Sequence, residues 1–128
     1  MDILNVKNVL GDKNKNIIKD ENINNIKVRF QKISDLSPKD LRKLVDEGKN
    51  YFKEGIVIVC ASKDNKVGLA IGVTNNLTKD YDAVQLVKVG SEIIGGKGGG
   101  GRKDFAQAGG NKKDQIDEAF KKIRTLIK

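Results

Sequence analysis

Two apolar runs separated by a short polar stretch constrain this chain more than any other feature. Gly55-Ile56-Val57-Ile58-Val59-Cys60-Ala61 is continuously apolar, which suits a strand covered on both faces. Ser62-Lys63-Asp64-Asn65 follows with the residues of a tight turn. Beyond it Val67, Leu69, Ile71 and Val73 alternate with Gly68, Ala70 and Gly72, so one face is bulky and the other is small enough for a close neighbour. The pair predicts a hairpin at the centre of a sheet. The rest of the chain must supply its neighbours and its cover.

Ile26 to Ile33 alternates apolar and polar residues, the period of a half-buried strand. Ser37-Pro38 supplies an N-cap and a first-turn proline, and Leu41, Leu44, Val45, Gly48 and Phe52 recur at helical spacing. A second helix, capped by Thr78 or Asp80, presents Ala83, Leu86, Val87, Gly90, Ile93 and Ile94. Phe105 to Ala108 adds a short strand, and Asn111 caps a last helix with Ile116, Ala119, Phe120, Ile123, Leu126 and Ile127 on one side. The expected fold class is α/β, two-layer, a mixed β-sheet covered by about three helices with a glycine-rich loop.

At 128 residues and 38% hydrophobic content the chain can close one core. The Asn- and Lys-rich residues 1–25 show no sustained period. They read as an N-terminal arm or linker, with 26–128 as the domain; a short helical turn at Ile3 to Leu10 is broken by Gly11 and the polar run after it.

Lys and Arg number 25 against 17 Asp and Glu, a formal charge of +8, which favours a polyanionic partner through steering and counterion release. Cys60 is the single cysteine and the chain has no His. No disulfide framework, metal spacing or Cys–His nucleophile can therefore be written, and Cys60 reads as a buried strand residue. Neither a membrane-span length of apolar sequence nor a signal-peptide pattern is present. The expectation is a cytoplasmic protein with no cofactor or metal of its own and no membrane partner.

Nine of the 14 glycines lie between Gly90 and Gly110. A bare run of this kind would read as a floppy linker, but here Lys97, Arg102 and Lys103 are interleaved and the run leads into Phe105-Ala106-Gln107-Ala108-Gly109-Gly110. Successive glycines can turn their N–H groups into an anion-binding concavity and admit a phosphate to the backbone. Gly96-Lys97-Gly98-Gly99-Gly100-Gly101 has the letters of a dinucleotide fingerprint, yet it follows an expected helix rather than a strand. Gly98 also stands where a phosphate loop needs Ser or Thr for magnesium. Neither nucleotide motif holds.

The segment Gly95-Gly96-Lys97-Gly98-Gly99-Gly100-Gly101-Arg102-Lys103-Asp104-Phe105-Ala106-Gln107-Ala108-Gly109-Gly110 closely resembles the terminal motif of the DHH-associated domain, in the form found at the C-terminus of alanyl-tRNA synthetase. The similarity extends from about Ile26 to Lys128. Two departures stand out: Lys103 occupies a position where the family generally has Pro, and the glycine run is one residue longer. In the phosphodiesterase branch of the family the corresponding loop typically carries a phosphate-holding His, which this chain lacks, so the synthetase branch is favoured.

That resemblance implies a domain without catalytic residues that helps hold tRNA, here tRNA-Ala, at its elbow. Its partners would be the tRNA and the catalytic and editing domains of an ATP-dependent alanine–tRNA ligase, of which this chain would be an excised piece. The implied RNA contacts are Lys97 and Arg102 on phosphate, with Gly98, Gly99, Gly100 and Gly101 allowing close approach. Lys103, Gln107, Lys112 and Lys113 are further candidates. Arg102 can grip bidentately where Lys97 acts as a point charge, and Asp104 pairs with Arg102 or accepts backbone N–H bonds. Two other readings compete: a phosphodiesterase accessory domain gripping a nucleotide phosphate, and an oligomerisation module that forms a homodimer through the arm at Ile3 to Leu10 and the exposed side of a helix.

Overall fold

The computed structural model describes residues 16–34, 40–63, 66–96 and 99–127. In chain order the elements are β1 (Asn16–Ile23), β2 (Ile26–Ser34), α1 (Leu41–Phe52), β3 (Ile56–Lys63), β4 (Lys66–Val73), α2 (Ala83–Ile93), β5 (Gly100–Arg102), β6 (Phe105–Gly110) and α3 (Ile116–Leu126). The strands form one sheet in the order β1-β2-β3-β4-β6-β5. Among the described strands only β2 and β3 run parallel, Val28 beside Ile56 through Ser34 beside Ser62, and α1 makes the crossover that such a pair requires. The expected central hairpin is β3–β4, with Ile56 opposite Val73 and Lys63 opposite Lys66; its turn residues Asp64 and Asn65, like Ser37 and Pro38, lie outside the described residues.

The mixed sheet with three helices is the expected α/β class, but the helices divide between its faces. Ile56, Ile58, Cys60, Leu69 and Ile71 pack with Leu86, Val87, Ile116, Ala119 and Ile123 of α2 and α3. Val57, Val59, Ala61 and Ala70 instead meet Leu41 and Val45 of α1. Two layers thus become three, because a strand with six consecutive buried residues from Ile56 to Ala61 needs cover on both sides. The small face of β4 is what admits α1. A Cβ on Gly72 would come within 2.3 Å of Val45 Cγ1, and one on Gly48 within 2.8 Å of the Val57 methyls.

Part of the expected arm is sheet. Asn16–Ile23 pairs along its whole length with β2, from Asn16 opposite Ile33 to Ile23 opposite Ile26. Asn24 and Asn25 form the two-residue connection, both at positive φ, 54° and 66°, which asparagine tolerates better than other side-chain-bearing residues. Among the described strands it is the outermost, and it lacks alternation: Ile17 and Ile18 are both about half exposed. The Ile3 to Leu10 turn lies outside the described residues.

The helix starts also differ from expectation. Neither Thr78 nor Asp80 caps α2; the Asp82 carboxylate accepts the Val84 N–H at 2.9 Å, while Thr78 Oγ1 donates to the carbonyl of Asn75 in the preceding 3-10 turn. Asn111 does not cap α3, since its N–H bonds the Ile94 carbonyl and a 3-10 turn, Lys113–Gln115, intervenes. On α3, Ile116, Ala119 and Ile123 are buried and Ile127 just beyond it is too, whereas Leu126 points outward at 43% exposure.

Cys60 sits at 0% exposure in the larger core. Burial away from water pushes its thiol up to about 12, because a thiolate there would lose its solvation. Since thiolate is the reactive form, an aromatic disulfide reagent at pH 8 is expected to label the native chain negligibly and to label it fully in denaturant. Rapid labelling without denaturant would contradict this packing.

Candidate nucleic-acid interface

The described part of the glycine segment is not a free loop: Gly96 and Gly99 to Arg102 lie as a ribbon along the outer side of β6. Gly100 lies opposite Gln107, Gly101 opposite Ala106 and Arg102 opposite Phe105. The approach is too close for side chains. A Cβ on Gly96 would fall 2.0 Å from the Gly109 carbonyl oxygen, and one on Gly99 2.3 Å from that of Gln107. Gly95, at φ 87°, turns the chain out of α2 into the ribbon. Gly100, by contrast, has open space where a Cβ would be. Much of the glycine content therefore serves the contact with β6, and its outer surface, Gly99 to Arg102, is exposed.

Cross-strand partners share a sheet face, so Arg102 and Phe105 point the same way, and Gly100 and Gln107 do likewise. Phe105 packs against the α1 core, which places this set on the α1 side of the sheet. There the exposed Gln107 is flanked by Gly100 across the ribbon and Gly109 along its own strand. Arg102 keeps 71% of its side chain exposed and lies 3.7 Å from the Asp104 carboxylate. That contact is an open ion pair, of the kind that contributes little to stability.

Lys103 and Asp104 make the two-residue turn between β5 and β6. The turn is tied down by its carbonyls: that of Lys103 accepts the Ala83 N–H at 3.0 Å, and that of Asp104 accepts the Val73 N–H at 2.9 Å and Lys49 Nζ at 3.2 Å. Neither residue has positive φ, so the first corner lies outside the left-handed region that would bar a proline.

The structure thus brings Gly99, Gly100, Gly101, Arg102, Lys103 and Gln107 together on one edge. Lys112 and Lys113 sit at the opposite end of β6, where the Lys112 N–H bonds the Ile94 carbonyl and its side chain borders Gly95. They flank the start of the ribbon rather than join the Arg102 group. Lys97 and Gly98 lie outside the described residues. Two neighbours were not anticipated from sequence: Arg42, whose guanidinium stands 5.2 Å over the Phe105 ring, and Lys49 on the Asp104 carbonyl. Their spacing, two helical turns apart on α1, was the available signal.

Among the described residues no cluster of His, Cys, Asp and Glu could hold a metal ion, and no helix is long and apolar enough to cross a membrane. What the edge offers is backbone, a side-chain amide and cations, which suits binding an anionic chain.

Known proteins share this architecture. The chain is 45% identical over 103 residues to an alanine–tRNA ligase of Parvibaculum lavamentivorans and 43% identical over 108 residues to one of Hyphomonas neptunium. These matches cover 80% and 84% of this chain but 12% of each relative, so it spans about an eighth of their length. The crystal structure of the C-Ala domain from Aquifex aeolicus alanyl-tRNA synthetase superposes with a TM-score of 0.80 at 28% identity, over 85% of this chain and 97% of that one. A DHH-domain member of the s1p family of ribosomal proteins, at 20% identity and a TM-score of 0.54 over 82% of this chain and 27% of that one, shares the fold alone. The DHHA1 domain profile matches residues 25–128, and with most of the chain inside that match, the protein belongs to the DHHA1 domain family.

Proposed function

We propose that this domain docks tRNA for an alanine–tRNA ligase of which it forms part, holding tRNA-Ala at its elbow while other domains carry out ATP-dependent aminoacylation and editing in the cytoplasm. The observation that carries the reading is the bare glycine edge, exposed at Gly99 to Gly101 and ended by the exposed cations Arg102 and Lys103. Folded RNA is recognised largely by shape and backbone, and an edge without side chains lets a ribose or phosphate reach main-chain groups. The identity to two alanine–tRNA ligases and the likeness to a C-Ala domain support this choice of polyanion. The grip needs no cofactor and no catalytic residue; cations and amides are sufficient for it.

A gel-shift titration of the chain with a tRNA-Ala transcript, and with a transcript whose elbow pairing is disrupted, tests the proposal. Tighter binding to the intact elbow is expected. Equal affinity would remove the elbow from the reading while leaving general RNA binding in place. Neutralising roughly three to six phosphates gives a slope of log affinity against log salt of about −2 to −5. A salt-independent affinity would defeat electrostatic docking altogether, and measurable binding of mononucleotides would favour the phosphodiesterase-type reading.

A further inference from the structure

Beside the β5–β6 turn lies an open cleft of about 650 Å³. The last turn of α1 forms one wall with Lys49 and Lys53, the start of the 3-10 turn forms the other with Thr74 and Asn76, and Asp104 closes the end. Its chemistry is directional. Thr74 Oγ1 accepts the Gly55 N–H at 3.0 Å and donates to Asn76 Oδ1 at 2.8 Å. With its oxygen held there, Asn76 has its amide N–H groups left for the cleft. Lys53 is exposed and sits at φ 68°, a conformation in which glycine would be unstrained, yet the position carries a cation.

The donors do not stand alone. Asp104, whose side chain is about one-third exposed, lines the same cleft. A free phosphate would meet Lys49, Lys53 and Asn76 favourably but would be repelled by that carboxylate. A ribose hydroxyl, which can donate to a carboxylate, resolves the conflict. Donors for a phosphate beside one acceptor for a hydroxyl match the repeating unit of an RNA backbone, and the 2′-hydroxyl is the group that separates RNA from DNA. The cleft also adjoins the docking edge, because the Asp104 carboxylate lies 3.7 Å from Arg102.

We infer that this cleft is a second RNA subsite, holding one ribose-phosphate unit with Lys53 and Asn76 on the phosphate and the Asp104 carboxylate accepting a 2′-hydroxyl. The inference rests on the RNA-docking reading above, and the experiment separates the two. Fluorescence anisotropy would follow the 128-residue chain binding a labelled tRNA-Ala transcript across a salt series. Lys53→Gln should weaken binding about eightfold at ~0.1 M salt and reduce the salt slope by about 1. Asn76→Asp, which puts a charge in place of a donor, should weaken it at least as much while leaving the thermal melting temperature unchanged.

For the hydroxyl, a transcript pool carrying random 2′-deoxy substitutions is partitioned into bound and free fractions. The unaltered chain should exclude transcripts substituted at a specific nucleotide, and Asp104→Ala, which keeps the backbone carbonyl that braces the turn, should lose that exclusion. If Arg102→Gln weakens binding but Lys53→Gln and Asn76→Asp match the unaltered chain, the cleft is overturned and the docking edge stands. Deoxy interference that persists in Asp104→Ala removes the assigned hydroxyl contact. A chain that binds no tRNA at all fails the docking reading and this subsite with it.

Discussion

A Gly72→Val chain is expected to lose about 3 kcal/mol of stability or more, seen as an earlier midpoint in urea unfolding. The sign is what makes the measurement informative. Glycine inside a strand is ordinarily a weak residue, and valine there normally improves a pleated surface. At Gly72 the added carbons have nowhere to go, because the first of them would already meet Val45 Cγ1 at 2.3 Å and Lys49 Cδ at 2.9 Å. Val45 is fully buried in the core between α1 and the sheet, so it cannot swing into solvent. Gly72→Ala should show a smaller loss in the same direction. A stabilised Gly72→Val chain would mean that α1 does not lie against this face.

The second large effect concerns binding. Removing both charges of the β5–β6 turn, as Arg102→Gln with Lys103→Pro, is expected to weaken tRNA binding on the order of 50-fold at ~0.1 M salt. The figure follows from a loss of roughly two phosphate contacts at about 0.9 log units of affinity per log unit of salt for each. Both side chains are exposed and neither turn residue has positive φ, so the melting temperature should hardly move. Lys103→Pro alone isolates one charge, and a shallower salt slope would identify Lys103 as a phosphate contact. Unchanged affinity in the double variant would take this turn out of the interface.

How far these features were legible depends on where each physical signal lay. The β3–β4 hairpin could be read directly, since burial on both faces leaves an unbroken apolar run and the Gly68-Ala70-Gly72 face announces a close neighbour. Which helix fills that space could not be read: a helical stripe records that a face is buried, not which side of a sheet receives it, and so two layers were expected where three exist. β1 escaped because its adjacent apolar residues Ile17 and Ile18 are both about half exposed and so give no alternation, although Asn24-Asn25 marked its turn.

The glycine segment was legible as a place but not as a shape. Clustered glycines signal close approach without saying what approaches, and here part of the answer is the chain's own strand β6. Arg42 and Lys49 were missed for another reason. Nothing local to α1 shows that it will lie against Phe105 and Asp104, more than fifty residues further on.

The bracing of the β5–β6 turn bears on the kinetics of complex formation. Its carbonyls are already engaged by the end of β4, the first turn of α2 and Lys49 of α1, so the backbone that presents Arg102 and Lys103 is preorganised before any partner arrives. Ordering costs that a flexible loop would incur on association are largely absent here. Loosening the brace with every charge kept should leave the rate of encounter nearly unchanged and shorten the lifetime of the complex.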